Sequence, residues 1–372
     1  MNYFREKIGL IYFLIPYLTP VKNKLGLILS VFLGSSNYEV KLGDNKSIKF
    51  QSSKFSSMLN FLTILSLSTE YKIEIENVKV NFGNEDWFNL PINNLKYEDY
   101  NLMELLSGAI KFGANFVTDK NIEINKLRNK TFRISGQEDE RKIVETYNGI
   151  KFYLDSIHPG NTIIETFVKE IHLINPNINW KDKIIIDVGA ECGDTPLYFA
   201  QLGAKVFACE PIKEHFNSMV ENLKLNPKLS EKIVPINAGI GKDEELIFYQ
   251  DKSGQVGRTS FISNQHGKNA KQSKVKGYSL ETLVKKFDIN KIDLLKMDCK
   301  GCEYYLNEEI LKIVKQVKIE YSLEFEKLYS LNELSELLTK SGFYLTMFNI
   351  DPSYHQSMSS GVTIYGTKNI IK

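Results

Sequence analysis

Four short stretches carry residue types at spacings that can do chemistry. The first is Asp187-Val188-Gly189-Ala190-Glu191-Cys192-Gly193-Asp194. Gly189 and Gly193 bracket a predicted strand-to-helix turn, where glycine lets backbone approach a ligand closely. Asp194 or Thr195 suits the cap of the following helix, and Pro196 suits its first turn. The spacing is G-x-x-x-G, not the G-x-G-x-x-G that aims a helix N-terminus at a pyrophosphate. A wider turn makes room for a sulfonium amino acid, whose ammonium group Asp187 can bind directly or through water. The second stretch is Glu210-Pro211, where an acidic side chain ending a strand is placed to accept from both hydroxyls of a ribose.

The third stretch is Asn237-Ala238-Gly239-Ile240-Gly241. Its turn borders the position of an adenine, with Asn237 or a backbone amide reading the base edge. A plain glycine turn is the competing reading. The fourth runs from Asp298 to Glu303. Methyl transfer from sulfur is an in-line displacement in which positioning supplies much of the rate. A hydroxyl acceptor also needs a base as its proton leaves. Asp298 and Glu303 are the candidates, and burial can raise a carboxyl pKa toward neutrality. Alternatively, Asp298 caps the next helix. The candidate cofactor-binding set is Asp187, Gly189, Ala190, Gly193, Asp194, Glu210, Pro211, Asn237 and Ala238. The candidate catalytic set is Asp298 and Glu303, and no metal site is expected.

These residues need a scaffold that delivers them to one edge. From residue 183 the pattern alternates strand and helix. Strands are predicted at Lys183–Val188, Ala204–Cys209, Ile233–Ala238, Ile292–Met297, Val317–Leu323, Phe343–Phe348 and Val362–Tyr365. Helices are predicted at roughly Thr195–Leu202, Lys213–Leu225, Ser279–Phe287 and Asn332–Ser341. Such alternation implies an α/β fold, a mostly parallel sheet with helices on both faces. Ligands then sit beyond the carboxyl ends of the strands. Residues 255–277 read as a polar loop holding Arg258, His266 and several lysines. It is either an acceptor lid or a solvated insertion.

Ahead of this region the texture is α+β. Helical spacing is predicted over 1–34, 54–68, 98–113 and 161–174. Residues 38–51 read as a hairpin and 71–82 as an alternating strand. Residues 142–154 hold the clearest hairpin, two β-rich runs joined by Asn148-Gly149. The reading is two domains, an accessory α+β domain over 1–155 and the α/β domain over 156–372.

Composition narrows the function classes. The chain has 372 residues, 42% hydrophobic and 25% charged, the balance of a globular protein. A net charge of +2 argues against nucleic acid as the main partner. The four cysteines, Cys192, Cys209, Cys299 and Cys302, all fall after residue 191. They read as free thiols in a reducing cytoplasm rather than a disulfide framework. Cys299-x-x-Cys302 reads as a pair of small buried hydrophobes, with metal or redox chemistry as the lesser reading. Two apolar runs, Ile8–Leu18 and Leu25–Leu33, are too short to span a bilayer. They read as helices packed onto the protein, with peripheral membrane contact through residues 1–34 as the alternative.

Together the motifs resemble the FkbM family of methyltransferases. The resemblance is carried by Asp187 through Thr195, by Glu210-Pro211 and by Lys296-Met297-Asp298-Cys299-Lys300-Gly301-Cys302-Glu303. Asn222, Leu225 and Asn226, and the Tyr278–Leu283 element, resemble it too. The similarity covers about residues 163–348. It implies a Rossmann-like seven-stranded methyltransferase sheet, S-adenosyl-L-methionine as cofactor, and O-methylation of a sugar, glycan or other small metabolite. One position departs: Lys300 stands where the family pattern has its first glutamate. A catalytically silent cofactor-binding scaffold therefore stays as an alternative. An NAD-dependent oxidoreductase is disfavoured by the glycine spacing.

Overall fold

The computed structural model describes residues 2–372 except 44–45, 53–54, 75–76, 84–86, 93–96, 118–122, 125–129, 137–140, 157–160, 174–176, 251–258, 261–270, 300, 323–329, 350–360 and 369–372. The chain divides into two compact units, one containing Met1–Lys169 and the other Glu170–Ile350 with Ser359–Lys372.

In the second unit, runs such as Ile184-Ile185-Ile186 and Leu294-Leu295 are apolar at consecutive positions. That is the signature of strands covered on both faces. They build a seven-stranded sheet from β1 (Ile184–Val188), β2 (Lys205–Cys209), β3 (Ile233–Ile236), β4 (Leu294–Met297), β5 (Gln316–Ser322), β6 (Tyr344–Asn349) and β7 (Gly361–Thr367). The spatial order is β3-β2-β1-β4-β5-β7-β6. β1 pairs in parallel with both β2 and β4, and β7 alone runs antiparallel to its neighbours. The order reverses direction between β1 and β4. That switch point opens a crevice at the carboxyl ends of the strands.

The two faces of this sheet differ in chemistry. Ile186, Val188, Leu295, Met297, Val317 and Ile319 lie in one apolar cluster with Leu283, Leu311, Leu334 and Leu338 of the covering helices. Alternate residues point the other way. Across that second face, register aligns Asp187 with Lys296, Lys296 with Lys318, and Lys318 with Tyr365. A row of ionisable side chains thus crosses four adjacent strands inside the protein. Asp187, Lys296 and Lys318 are all buried.

Helix α3 (Asp194–Gln201) follows β1, and α4 (Lys213–Leu225) follows β2. Helix α5 (Leu280–Lys286) is capped by Ser279, whose hydroxyl accepts from Thr282 N at 3.1 Å. Helix α6 (Glu308–Ile313) is capped by Asn307, and α7 (Leu331–Lys340) opens with a Ser330/Glu333 capping box.

Several expectations need correction. The strand expected over Ile233–Ala238 ends at Ile236, and Gly239–Ile240 begins a second sheet with Glu245–Gln250, Thr259–Ser260 and Lys271–Tyr278. The segment expected as a polar loop therefore ends in an eight-residue strand. Its only β-branched aliphatic is Val275, so no alternating pattern announced it. The helix expected over 161–174 is a short turn, Asn161–Ile163, continuing as a π-helix over Ile164–Val168. It stops where Glu170 turns to a φ of 51°.

The first unit is α+β. Its hairpins Asn37–Lys41/Ser47–Gln51 and Lys142–Glu145/Lys151–Tyr153 are antiparallel. The single strand expected over 71–82 is instead two, Glu70–Ile73 and Asn77–Asn81, paired so that Ile73 faces Val78. That register requires the chain to reverse between them. Helices span Phe55–Leu67 and Tyr97–Phe112.

Candidate functional site

The turn after β1 is built by close backbone approach. Gly189 and Gly193 both have positive φ, 84° and 86°. A Cβ at Gly189 would lie 2.1 Å from the carbonyl oxygen of Asp298. Glycine there lets the ends of β1 and β4 meet. Gly189 N and Ala190 N both donate to Cys209 O, at 2.9 and 3.1 Å, which ties the same turn to the end of β2. The cap of α3 is Gly193 itself, so Asp194 sits in the first helical turn rather than at the cap. From α4, the fully buried Asn222 donates to Cys192 O at 3.0 Å and braces the turn from behind.

Glu210 reaches back into this turn. Its Oε2 accepts from Glu191 N at 3.0 Å and its Oε1 from Ile212 N at 2.8 Å. Glu191 takes a φ of 45° to present that N–H. Burial pushes the Glu210 carboxyl up to about 7, against the lowering effect of the two N–H donors. A carboxylate offers about four lone-pair sites. Two are occupied by backbone donors; His215 Nδ1 stands 3.7 Å from Oε1, outside hydrogen-bond reach, so each oxygen keeps one for a further donor. Asn237 spends its amide nitrogen on Glu210 O and Pro211 O, at 2.9 and 3.2 Å, leaving its oxygen as the group able to read a base. Ala238 is buried and Pro211 half-buried beside it.

Asp187, at the end of β1, is enclosed and paired. It is 0% exposed and lies 2.7 Å from Lys296 Nζ. Burial raises its pKa to about 6, while Lys296 pulls it down. For Lys296, burial disfavours the charge but Asp187, Asp298 and Asp194 outweigh it, so its pKa is raised.

Lys318 Nζ lies 2.7 Å from His172 Nδ1, and His172 Nε2 lies 3.2 Å from Thr195 Oγ1. An ammonium can only donate, so Nδ1 accepts and Nε2 carries the proton. Thr195 then donates to Asp194 at 3.4 Å. Burial, Lys318 and Lys296 hold the imidazole pKa well below its usual value.

At the end of β4, Asp298 is half-buried and donates its backbone N–H to Val188 O at 2.9 Å. The following 3₁₀ turn is capped by Gly301, not by Asp298. Glu303 is 0% exposed, with Oε2 accepting from Gly301 N at 2.9 Å and Oε1 taking no hydrogen bond among the described residues. Burial pushes its pKa up to about 7. Cys299 and Cys302 are joined by a disulfide, with Cα atoms 5.6 Å apart. This corrects the expectation of four free thiols and removes the support it lent to a cytoplasmic setting. While so bonded, neither sulfur is the thiolate that a metal would need.

Residues 187–343 match the model of the methyltransferase FkbM domain. They form a methyltransferase FkbM domain. The matched span covers the Gly189–Gly193 turn, Glu210, Asn237, Asp298 and Glu303. No curated protein matches the chain. Among solved structures, precorrin-6y C5,15-methyltransferase from Geobacter metallireducens GS-15 is similar at 12% identity, covering 54% of this chain and 88% of its own, with a TM-score of 0.34. TYW2 from M. jannaschii, solved with AdoMet, is similar at 13% identity over 68% of this chain and 94% of its own, with a TM-score of 0.33.

Within the FkbM domain, Lys300, Arg258 and His266 lie outside the described residues. Burial, and after it the charge of Glu320 on β5, raises the Tyr365 pKa. The reading of motifs missed Lys296, Lys318, His172 and Glu191 as parts of the site. One signal was present. A lysine inside Leu294-Leu295-Lys296-Met297 or Val317-Lys318-Ile319 must be buried, and a buried cation needs a partner.

Proposed function

We propose that the FkbM domain binds S-adenosyl-L-methionine at the β1–β2 edge and methylates a hydroxyl of a sugar, glycan or other small metabolite. The observation that carries the reading is the Glu210 carboxylate. It is fixed by two backbone donors and keeps two acceptor positions for a pair of vicinal hydroxyls. The Gly189–Gly193 turn supplies a backbone cradle that a side chain would fill. Asn237 Oδ1 is oriented to accept from an exocyclic amine. The bound cofactor would supply an electrophilic methyl group on a sulfonium.

The chain's own residues would do the rest. Asp298 is the reachable carboxylate at the end of β4, placed to orient an acceptor hydroxyl and take its proton. Glu303 is shut away from solvent and acts through the loop, holding Gly301 N. Asp187 acts through Lys296, setting the field beneath the turn.

Calorimetric titration with S-adenosylmethionine, S-adenosylhomocysteine and NAD tests this. Two hydrogen bonds to a charged group at about 1.5–3 kcal/mol each imply at least about a 100-fold loss of affinity in Glu210→Ala. NAD binding, or unchanged affinity in that variant, would overturn the assignment. With an acceptor panel and labelled methyl donor, Asp298→Asn should lower kcat while leaving the donor's Kd in place.

A further inference from the structure

We propose that the N-terminal helices form a docking surface for an anionic lipid bilayer. Helix α1 covers Asn2–Leu14 and leads through the turn Ile15–Tyr17 to α2, Lys24–Leu33. One side of this pair is core. Leu10, Leu14, Leu27 and Val31 are buried. The other side is equally apolar but faces solvent. Ile8, Tyr12, Ile15, Leu25, Leu29 and Leu33 are 47–78% exposed. Leu25, Leu29 and Leu33 recur every fourth residue and form one stripe along α2. These six make up half of the twelve large apolar side chains exposed among the described residues, gathered into 26 positions.

Such a concentration marks an interaction site rather than ordinary surface. A helix apolar on both sides belongs in a core or in lipid. Helix α2 has ten residues, about 15 Å at 1.5 Å per residue, against a hydrocarbon core of about 30 Å. No described helix is long and apolar enough to cross a membrane. The geometry fits a helix lying in the interface, with its apolar side among acyl chains.

Charge selects the occupant. Residues 1–34 contain Arg5, Lys7, Lys22 and Lys24 against a single acid, Glu6. Lys24 is exposed at the start of α2, and Lys22, exposed just before it, donates from its Nζ to Gly43 O. Cations at the margin of an apolar stripe complement anionic headgroups. A two-fold pairing of two copies would use the same patch on both partners. That would bring the same cations together with one acid apiece to offset them. Tyr12, an aromatic with a polar tip, also suits the headgroup level.

The test is co-sedimentation of the full chain with phosphatidylcholine vesicles, with and without about one third phosphatidylglycerol. The comparison variant is Leu25→Ser/Leu29→Ser/Leu33→Ser, whose side chains are exposed, so its thermal melt and S-adenosylmethionine affinity should match wild type. Wild type should bind anionic vesicles at least tenfold more tightly than neutral ones, and the variant should lose at least tenfold on anionic vesicles. Wild type that stays in the supernatant, or binds both vesicle types equally, would overturn the proposal. So would a variant that binds as wild type does. Sedimentation of a dimer that the variant dissolves, without vesicle binding, would make the surface a self-association face instead.

Discussion

Asp187 and Lys296 stand side by side on adjacent strands, 2.7 Å apart and both out of water. The pair sits beneath the turn that carries Gly189, whose carbonyl oxygen lies 3.3 Å from Lys296 Nζ. Breaking a buried pair leaves one charge uncompensated, at a cost of about 3–5 kcal/mol. Lys296→Met should therefore lower the stability measured by urea unfolding by about that much. The double variant Asp187→Asn/Lys296→Met should recover part of the loss, because no lone charge remains. A Lys296→Met cost below about 1 kcal/mol would mean the pair is solvated in solution.

Cofactor affinity should depend on pH through Glu210. Its carboxyl is raised to about 7, chiefly by burial. Only the ionised form accepts from two hydroxyls at once. S-adenosylhomocysteine binding should tighten as pH rises from about 6 to about 8 and level off above, since the carboxyl is then fully ionised. Glu210→Gln should bind weakly and flatten that profile. A wild-type Kd constant over this range would remove Glu210 from the ribose contact.

Stability should move the opposite way over the same window. Asp187 is raised to about 6, and Glu303 to about 7, both by burial. A carboxyl whose folded pKa exceeds its unfolded value stabilises fully below the unfolded value and loses that contribution as pH rises through the folded one. His172 has the reverse sign. Its folded pKa is depressed, so its contribution is lost as pH falls. Glu303→Gln isolates one group. Compared with wild type, it should show a shallower fall in urea midpoint between about pH 4.5 and 7. Parallel pH curves for the two proteins would show that Glu303 titrates normally.

The parts of the site legible in sequence were those whose signal is local. Asp187, Glu210 and Asp298 each end or follow a run of apolar residues. Buried parallel strands announce themselves by such runs, and fold rules put their ends at the ligand edge. Lateral relationships were not legible. Lys296 meets Asp187 across 109 positions of sequence, and Lys318 meets His172 across 146. Strand register brings the first pair together, and the turn that carries His172 over the sheet brings the second. Likewise, Lys271–Tyr278 forms a strand although only Val275 and the terminal Tyr278 within it are strong β-formers by type, because its partner Glu245–Gln250 supplies the ladder. The Cys299–Cys302 pairing is another relationship that spacing alone does not reveal.

The cysteines give a direct chemical count. Cys299 and Cys302 are paired, while Cys192 and Cys209 are free and buried. Burial also raises the Cys209 pKa, so even its thiolate fraction is suppressed. Unreduced native protein should therefore give no rapid reaction with a thiol reagent. Unfolding without reductant should expose two thiols, and unfolding after reduction four. Because Cys299 and Cys302 lie between Asp298 and Glu303, Cys299→Ser/Cys302→Ser loosens the acceptor loop while the Glu210 edge keeps its contacts. In that variant kcat should fall several-fold with S-adenosylmethionine affinity unchanged, and chain-entropy arguments for so small a loop limit the stability loss to about 2 kcal/mol. Four thiols in unreduced, unfolded wild type would show that the bond does not form. An equal drop in cofactor affinity and turnover would place the loop's influence on the donor rather than the acceptor.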